Sequence, residues 1–200
     1  MHIILKLSTL IAIIFFVASC QPNTNVAEQT ALTEEDKAIY LSKGKIIAMQ
    51  TQKALGTNLK GAMKEGGVQN ALTFCKLNAF AIKDSLSEIY KADIHRKSKK
   101  YRNPADKPNE IESEIINDYE MVSSKGASLK PIVKSIDDKH IGYYAPIMLG
   151  GLCLNCHGTV GEEVTDSTYA LIQKLYPEDL ATGYKVGDLR GIWSITFETN

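Results

Sequence analysis

The sequence predicts an α+β protein in which helices come first and an antiparallel sheet follows. Two observations carry that expectation. Apolar residues recur at three- and four-residue steps through the first half, whereas β-branched and aromatic residues cluster or alternate after Leu129. No strand–helix–strand rhythm of the kind that builds a parallel sheet interrupts this order.

Ahead of the folded part, residues 1–19 read as a targeting device. His2 and Lys6 make a short polar start, and Leu7 to Ala18 form a run of twelve mostly apolar residues. A spanning helix needs about 20 apolar residues, so this run fits the apolar core of a secretion signal instead. Val17-Ala18-Ser19 before Cys20 resembles a bacterial lipobox, whose cysteine is diacylated and becomes the mature N-terminus. An ordinary signal peptide cut a few residues later is the rival reading. Acyl chains at ~0.8 kcal/mol per buried methylene make a durable anchor. With no Asp at the second position after Cys20, an outer-membrane destination is favoured over inner-membrane retention. Residues 20–32 are polar and aperiodic, a flexible tether between lipid and domain. Residues 33–200 then form one domain, exposed to the periplasm or the cell surface.

Within it, Thr33 followed by Glu34, Glu35 and Asp36 looks like a capped helix start. Ile39, Ile46, Ile47 and Met49 carry that helix to about Leu55, weakened locally by Gly44 and Gly56. After Gly66-Gly67, Val68, Leu72, Cys75, Ala79 and Ile82 fall on one face of a second helix. Residues 92–101 break the period and read as extended. Pro104 pushes Asn103 out of the helical region, which marks a turn. Asn109, with Glu112 three residues on, is a cap for a third helix presenting Ile111, Ile115, Ile116 and Tyr119. Ile132-Val133 and Ile141 to Ile147 are strand-like, and a short helix runs from about Asp166 to Tyr176 before Pro177 ends it. In the final run Trp193, Ile195 and Phe197 point one way, Ser194 and Thr196 the other.

Hydrophobic residues make up 44% of the chain and charged ones 23%, the balance of an ordinary globular domain. The 23 basic and 23 acidic side chains cancel, and no basic block is interleaved with aromatics. Nucleic acid is therefore excluded as an expected partner.

The chemistry centres on Cys153-Leu154-Asn155-Cys156-His157. Two thiols one turn apart match the two vinyl groups of haem, and the adjacent histidine reaches the iron as proximal ligand. A thioredoxin-like pair would open a helix inside a βαβ pattern, which is missing. Zinc would want a second ligand pair, and only Cys75 and scattered histidines remain. A disulfide closing so short a loop stabilises little. The export signal also suits c-type haem, which bacteria attach outside the cytoplasm. For the opposite axial position Cys75, His95, His140 and several methionines are available. Taken alone, Cys75 on an apolar helix face reads more as a small buried hydrophobe than as a ligand.

Several stretches resemble one family when taken together: Ala71 to Ala81; Ile94-His95-Arg96-Lys97-Ser98-Lys99-Lys100-Tyr101-Arg102-Asn103-Pro104; Tyr144-Ala145-Pro146-Ile147 ahead of the cysteine pair; and the tail Tyr176-Pro177, Asp179, Ala181, Gly183-Tyr184, Gly187-Asp188 and Gly191. This is a family of single-haem c-type domains of PAS-like fold, formerly a domain of unknown function. Its members are free exported haem proteins, including a photosystem-II-associated one of cyanobacteria, and sensor domains of histidine kinases. The resemblance covers roughly residues 35–198. It implies a PAS-like antiparallel sheet with N-terminal helices packed around one covalently bound haem c, held by Cys153 and Cys156. It also implies a cysteine opposite the proximal histidine, which makes His157 and Cys75 the iron ligands. Lys97 departs from the family pattern, which often has Thr there. Arg96 and Arg102 are candidates for the haem propionates, because a planar guanidinium matches a carboxylate; a solvated basic stretch is the plainer reading. Tyr143, Tyr144 and Trp193 are candidates to pack on the porphyrin, although strand aromatics are more often core. Asp179 and Asp188 suit turn backbone groups and are not catalytic.

The expected function is electron transfer by a small exported lipoprotein, not catalysis. A haem-based redox or gas sensor would need an output module, absent up to Asn200, and would have to act through a separate redox or signalling partner. A peroxidase-like enzyme would need an open iron position and a distal acid–base pair, and a Cys75 ligand closes that position.

Overall fold

A computed structural model describes residues 32–199. The leader, the lipobox with Cys20 and nearly all of the tether lie outside these residues. Thr33 caps α1 (Glu34–Tyr90), its hydroxyl accepting from the Asp36 amide at 3.0 Å, with Glu34, Glu35 and Asp36 in the first turn. The helix is interrupted at Gly66 and Gly67, and Gly67 has a φ of 69°, which only glycine adopts without strain. Two arms result, each longer than the apolar periodicity predicts. The first runs past Leu55 because Leu59, Lys60, Ala62, Met63, Lys64 and Glu65 are strong helix formers. Gly44 has a different explanation from local weakening. A Cβ there would collide with the ring of Tyr143, so glycine lets the helix lie flat on the sheet.

The sheet contains β1 (Asp93–Lys97), β2 (Ile132–Ser135), β3 (His140–Met148) and β4 (Leu189–Glu198) in the order β1-β4-β3-β2. All three pairings are antiparallel, as the residue pattern led us to expect. Trp193, Ile195 and Phe197 face α1 together with Tyr143 and Ala145, and pack there against Ile47 and Ala48. Ile192 and Tyr144 face the other way and meet Ile115, Ile116 and Tyr119 of α2 (Glu110–Ser124). Both faces of β4 are therefore covered, and Ser194, on the side expected to be polar, is buried. Full burial of each large side chain contributes roughly 1.5–3 kcal/mol. The α2 start is the capping box the sequence suggests: Glu112 N donates to Asn109 and Asn109 N donates to Glu112, both at 2.9 Å.

The second arm of α1 carries a separate cluster. Leu72 packs with Val164 and Ile172, and Val68, Cys156, Tyr169, Leu171 and Leu175 close around them. This joins α1 to α3 (Leu154–His157) and α4 (Asp166–Leu175). Bonds from Leu149 N to Asp188 O and from Gly187 N to Leu149 O hold the start of this region against the end of the sheet.

Candidate functional site

The 3-10 turn Gly151–Cys153 leads directly into α3, so Cys153 and Cys156 lie three residues apart on one helical face. Both thiols are free and half-buried. Burial pushes the Cys156 thiol up to about 11, against the lowering charge of Arg102.

His157 ends α3 with its Nδ1 2.7 Å from the Ala181 carbonyl oxygen. A carbonyl only accepts, so Nδ1 carries the proton and Nε2 keeps its lone pair. Burial holds the imidazole pKa well below its ordinary value, and the charges of Arg190, Arg102 and Arg96 lower it further. The ring is neutral and oriented, the state in which an imidazole ligates a metal. Tyr184 meets it edge-on, with ring centroids 6.3 Å apart.

The loop after α4 builds the wall behind this histidine. Tyr184 N donates to His157 O, Gly183 N to Gly158 O and Leu180 N to Tyr101 O, at 2.8 to 2.9 Å. Asp179 accepts from Ala181 N and forms an ion pair with Arg102, whose Nε lies 2.9 Å from Oδ1. The same guanidinium donates through Nη2 to the Cys156 carbonyl at 2.6 Å and the Ala181 carbonyl at 3.3 Å. Arg102 thus ties α3, Ala181 and Asp179 into one unit.

Cys75 stands one turn beyond Leu72 on the second arm of α1. Burial raises its pKa, while Arg96 and Arg102 act on it in the opposite direction. Its charge in turn acts on Cys156. The structure therefore brings Cys75, Cys153, Cys156, His157, Arg96 and Arg102 into one region. Arg96 also borders an open cleft, lined by Leu55, Ala79, Phe80 and Lys83 of α1 with Asp106 and Trp193. Arg96 lies over the Trp193 ring, 6.0 Å from its centroid. Trp193 borders the cleft, whereas Tyr143 and Tyr144 belong to the two sheet cores.

Of the rival axial donors, His140 is remote. His140 sits at the start of β3 with Nδ1 2.8 Å from the Asp137 carboxylate. At ~3.3 Å per residue, the strand separates it by roughly 26 Å from Met148, the end nearest the cysteine pair. His95 has Nε2 3.5 Å from Asp93. Asp188 accepts from Lys185 N, the turn role expected of it.

Reading the sequence missed Ala181, Tyr184 and Arg190, and gave Asp179 only half of its role. The spaced tail of Pro, Asp, Ala, Gly and Tyr was the available signal. A flat, mostly apolar cofactor with two vinyl groups and an iron fits this donor set: two free thiols on one face, a neutral imidazole with Nε2 available, a third thiol within electrostatic reach, and the apolar side chains of Leu55, Ala79, Phe80 and Trp193 in the cleft wall.

Fold and site together define a PAS-like α+β domain built around a Cys-x-x-Cys-His segment. The family model described as Tll0287-like matches residues 24–197, and the chain belongs to that family. Among solved structures, it is similar to the crystal structure of the cyanobacterial heme-protein Tll0287, with a TM-score of 0.59 and 21% identity over 84% of this chain and 98% of that one. No curated protein matches the chain.

Proposed function

We propose that this chain is an exported, lipid-anchored protein that carries one covalent c-type haem and passes single electrons to a separate protein partner. The observation that carries the proposal is the state of His157: neutral, fixed through Nδ1, with Nε2 available one residue after a pair of free thiols. The description of the structural relative as a heme-protein is in line with it. In this reading Cys153 and Cys156 would form the thioethers, and His157 and Cys75 would hold the iron. A haem held there supplies reversible one-electron chemistry. Ala181 orients the imidazole, and Arg102 and Asp179 hold α3 against the loop. With His157 and Cys75 both committed to holding the iron, this reading favours a carrier over an enzyme. Cys20 supplies the lipid anchor.

Expression in a host that attaches c-type haem tests the proposal. The mature polypeptide is expected to gain the mass of one haem that survives acid–acetone extraction, and Cys153→Ala with Cys156→Ala abolishes the gain. Colour lost to the organic phase, or an unmodified wild-type peptide spanning residues 153–157, refutes it. Membrane sedimentation of the wild type, lost in Cys20→Ala, checks the anchor.

A further inference from the structure

The sequence holds three arginines, Arg96, Arg102 and Arg190, and all three act electrostatically on His157. The lysines are spread along the chain. Arginine presents a planar fork that matches a carboxylate bidentately, so its concentration around one histidine points to an anionic ligand. Arg102 already has Asp179 and two carbonyls. Arg190 does not.

Arg190 is the second residue of β4 and is half-buried. Its Nη1 donates to the Lys100 carbonyl at 3.0 Å, and its guanidinium lies 5.5 Å from the Tyr184 ring centroid. That is the ring whose edge meets His157. Among the described residues, no carboxylate forms an ion pair with Arg190 or Arg96. Asp106 acts on both from a distance, and burial disfavours its own charge. Arg96 borders the cleft beside Trp193 and Arg190 a second one beside Tyr184, within electrostatic reach of each other, and neither has a counter-ion, a costly arrangement unless a ligand supplies one.

We infer that Arg190 and Arg96 form a two-point site for the two carboxylates of the cofactor, and that Arg102 is a structural clamp. The inference rests on the haem reading above and names the chain's own groups that take the acidic edge of a flat apolar ring. It replaces Arg102, a candidate on guanidinium chemistry alone, with a residue that sequence patterning did not single out.

The test compares haem with haem dimethyl ester, whose carboxylates are capped, in the mature chain carrying Cys153→Ala and Cys156→Ala so that binding is reversible. Arg190→Gln is expected to weaken haem about tenfold or more and the ester by less than about twofold. Arg96→Gln behaves likewise, whereas Arg102→Gln lowers thermal stability and weakens both forms alike. Equal losses for haem and ester in Arg190→Gln, or no loss for haem, overturn the assignment and leave the haem reading intact. A parent that takes up neither form, with a wild type that stays colourless in the haem-attaching host, overturns both. If the parent takes up neither form but the wild type is coloured, the midpoint potential of the covalently loaded protein against pH decides. Removing a cation beside a carboxylate raises its pKa, so Arg190→Gln moves the pH-dependent segment of that profile upward. An unmoved profile overturns the assignment.

Discussion

Asp179→Asn is the substitution that most directly probes how the site is held. The Arg102–Asp179 pair is almost dry, with side chains 11% and 3% exposed, and two contacts of 2.9 and 3.4 Å. Breaking a buried pair from one side typically costs 3–5 kcal/mol, because the other charge stays behind. Here Arg102 keeps the Cys156 and Ala181 carbonyls, and asparagine keeps one acceptor, so the lower end applies: about 3 kcal/mol. In a domain of this size each kcal/mol shifts the melting midpoint by ~2–4 °C, which places the loss at roughly 6–12 °C. Urea unfolding followed by far-ultraviolet circular dichroism measures it. Arg102→Gln should cost about as much, and the double variant little more than either alone, since the two residues act as one unit. The exposed Lys99–Glu120 pair is the control, at 2.6 Å but with side chains 39% and 51% exposed. Glu120→Gln should change stability by less than about 1 kcal/mol. A loss under about 1 kcal/mol for Asp179→Asn, or strictly additive losses in the double variant, would refute the clamp.

Three further expectations follow from individual contacts. Gly44→Ala drives a Cβ into the Tyr143 ring, so it should destabilise by about 1–3 kcal/mol despite alanine's better helix propensity, while Gly61→Ala, with nothing within 4 Å of the new atom, should stabilise by up to about 1 kcal/mol; urea midpoints that move in the same direction would contradict the close approach. Cys75→Ala in the haem-loaded protein should raise the midpoint potential, abolish the ferric low-spin paramagnetic resonance signal and admit carbon monoxide after reduction; an untouched signal would make the cysteine a core residue only. Burial, followed by the charge of Lys83, lowers the His95 pKa, so as pH falls through about 6.5 the unfolded chain takes up the proton first, and the stability present above that pH is progressively lost below it. His95→Asn should lessen, with His157 still contributing, the dependence of the urea midpoint on pH between about 5 and 6.5, and an unchanged slope counts against a half-buried neutral His95.

The features legible in the sequence are those with local causes. Thr33 and the Asn109–Glu112 box announce helix starts because a cap and its amide are three residues apart. Trp193, Ile195 and Phe197 announce a strand because alternation is a property of neighbours. The cysteine pair and His157 fit within one helical turn. Where the cause is distant, the signal fades. Ser194 is buried because α2 covers the face opposite α1, and nothing near Ser194 in the chain says so. Arg102 suits a carboxylate, and it has one, but the carboxylate belongs to Asp179, 77 residues on. The Ala181 carbonyl that sets the His157 tautomer comes from a backbone group 24 residues away, which no side-chain pattern can advertise. The five residues that announce the chemistry therefore do not set its state. His157 is held neutral with Nε2 available because α3 is gripped from behind by the Arg102–Asp179 pair and the Ala181–Tyr184 loop. Substitutions in that grip should alter the site as surely as substitutions at Cys153, Cys156 and His157 themselves.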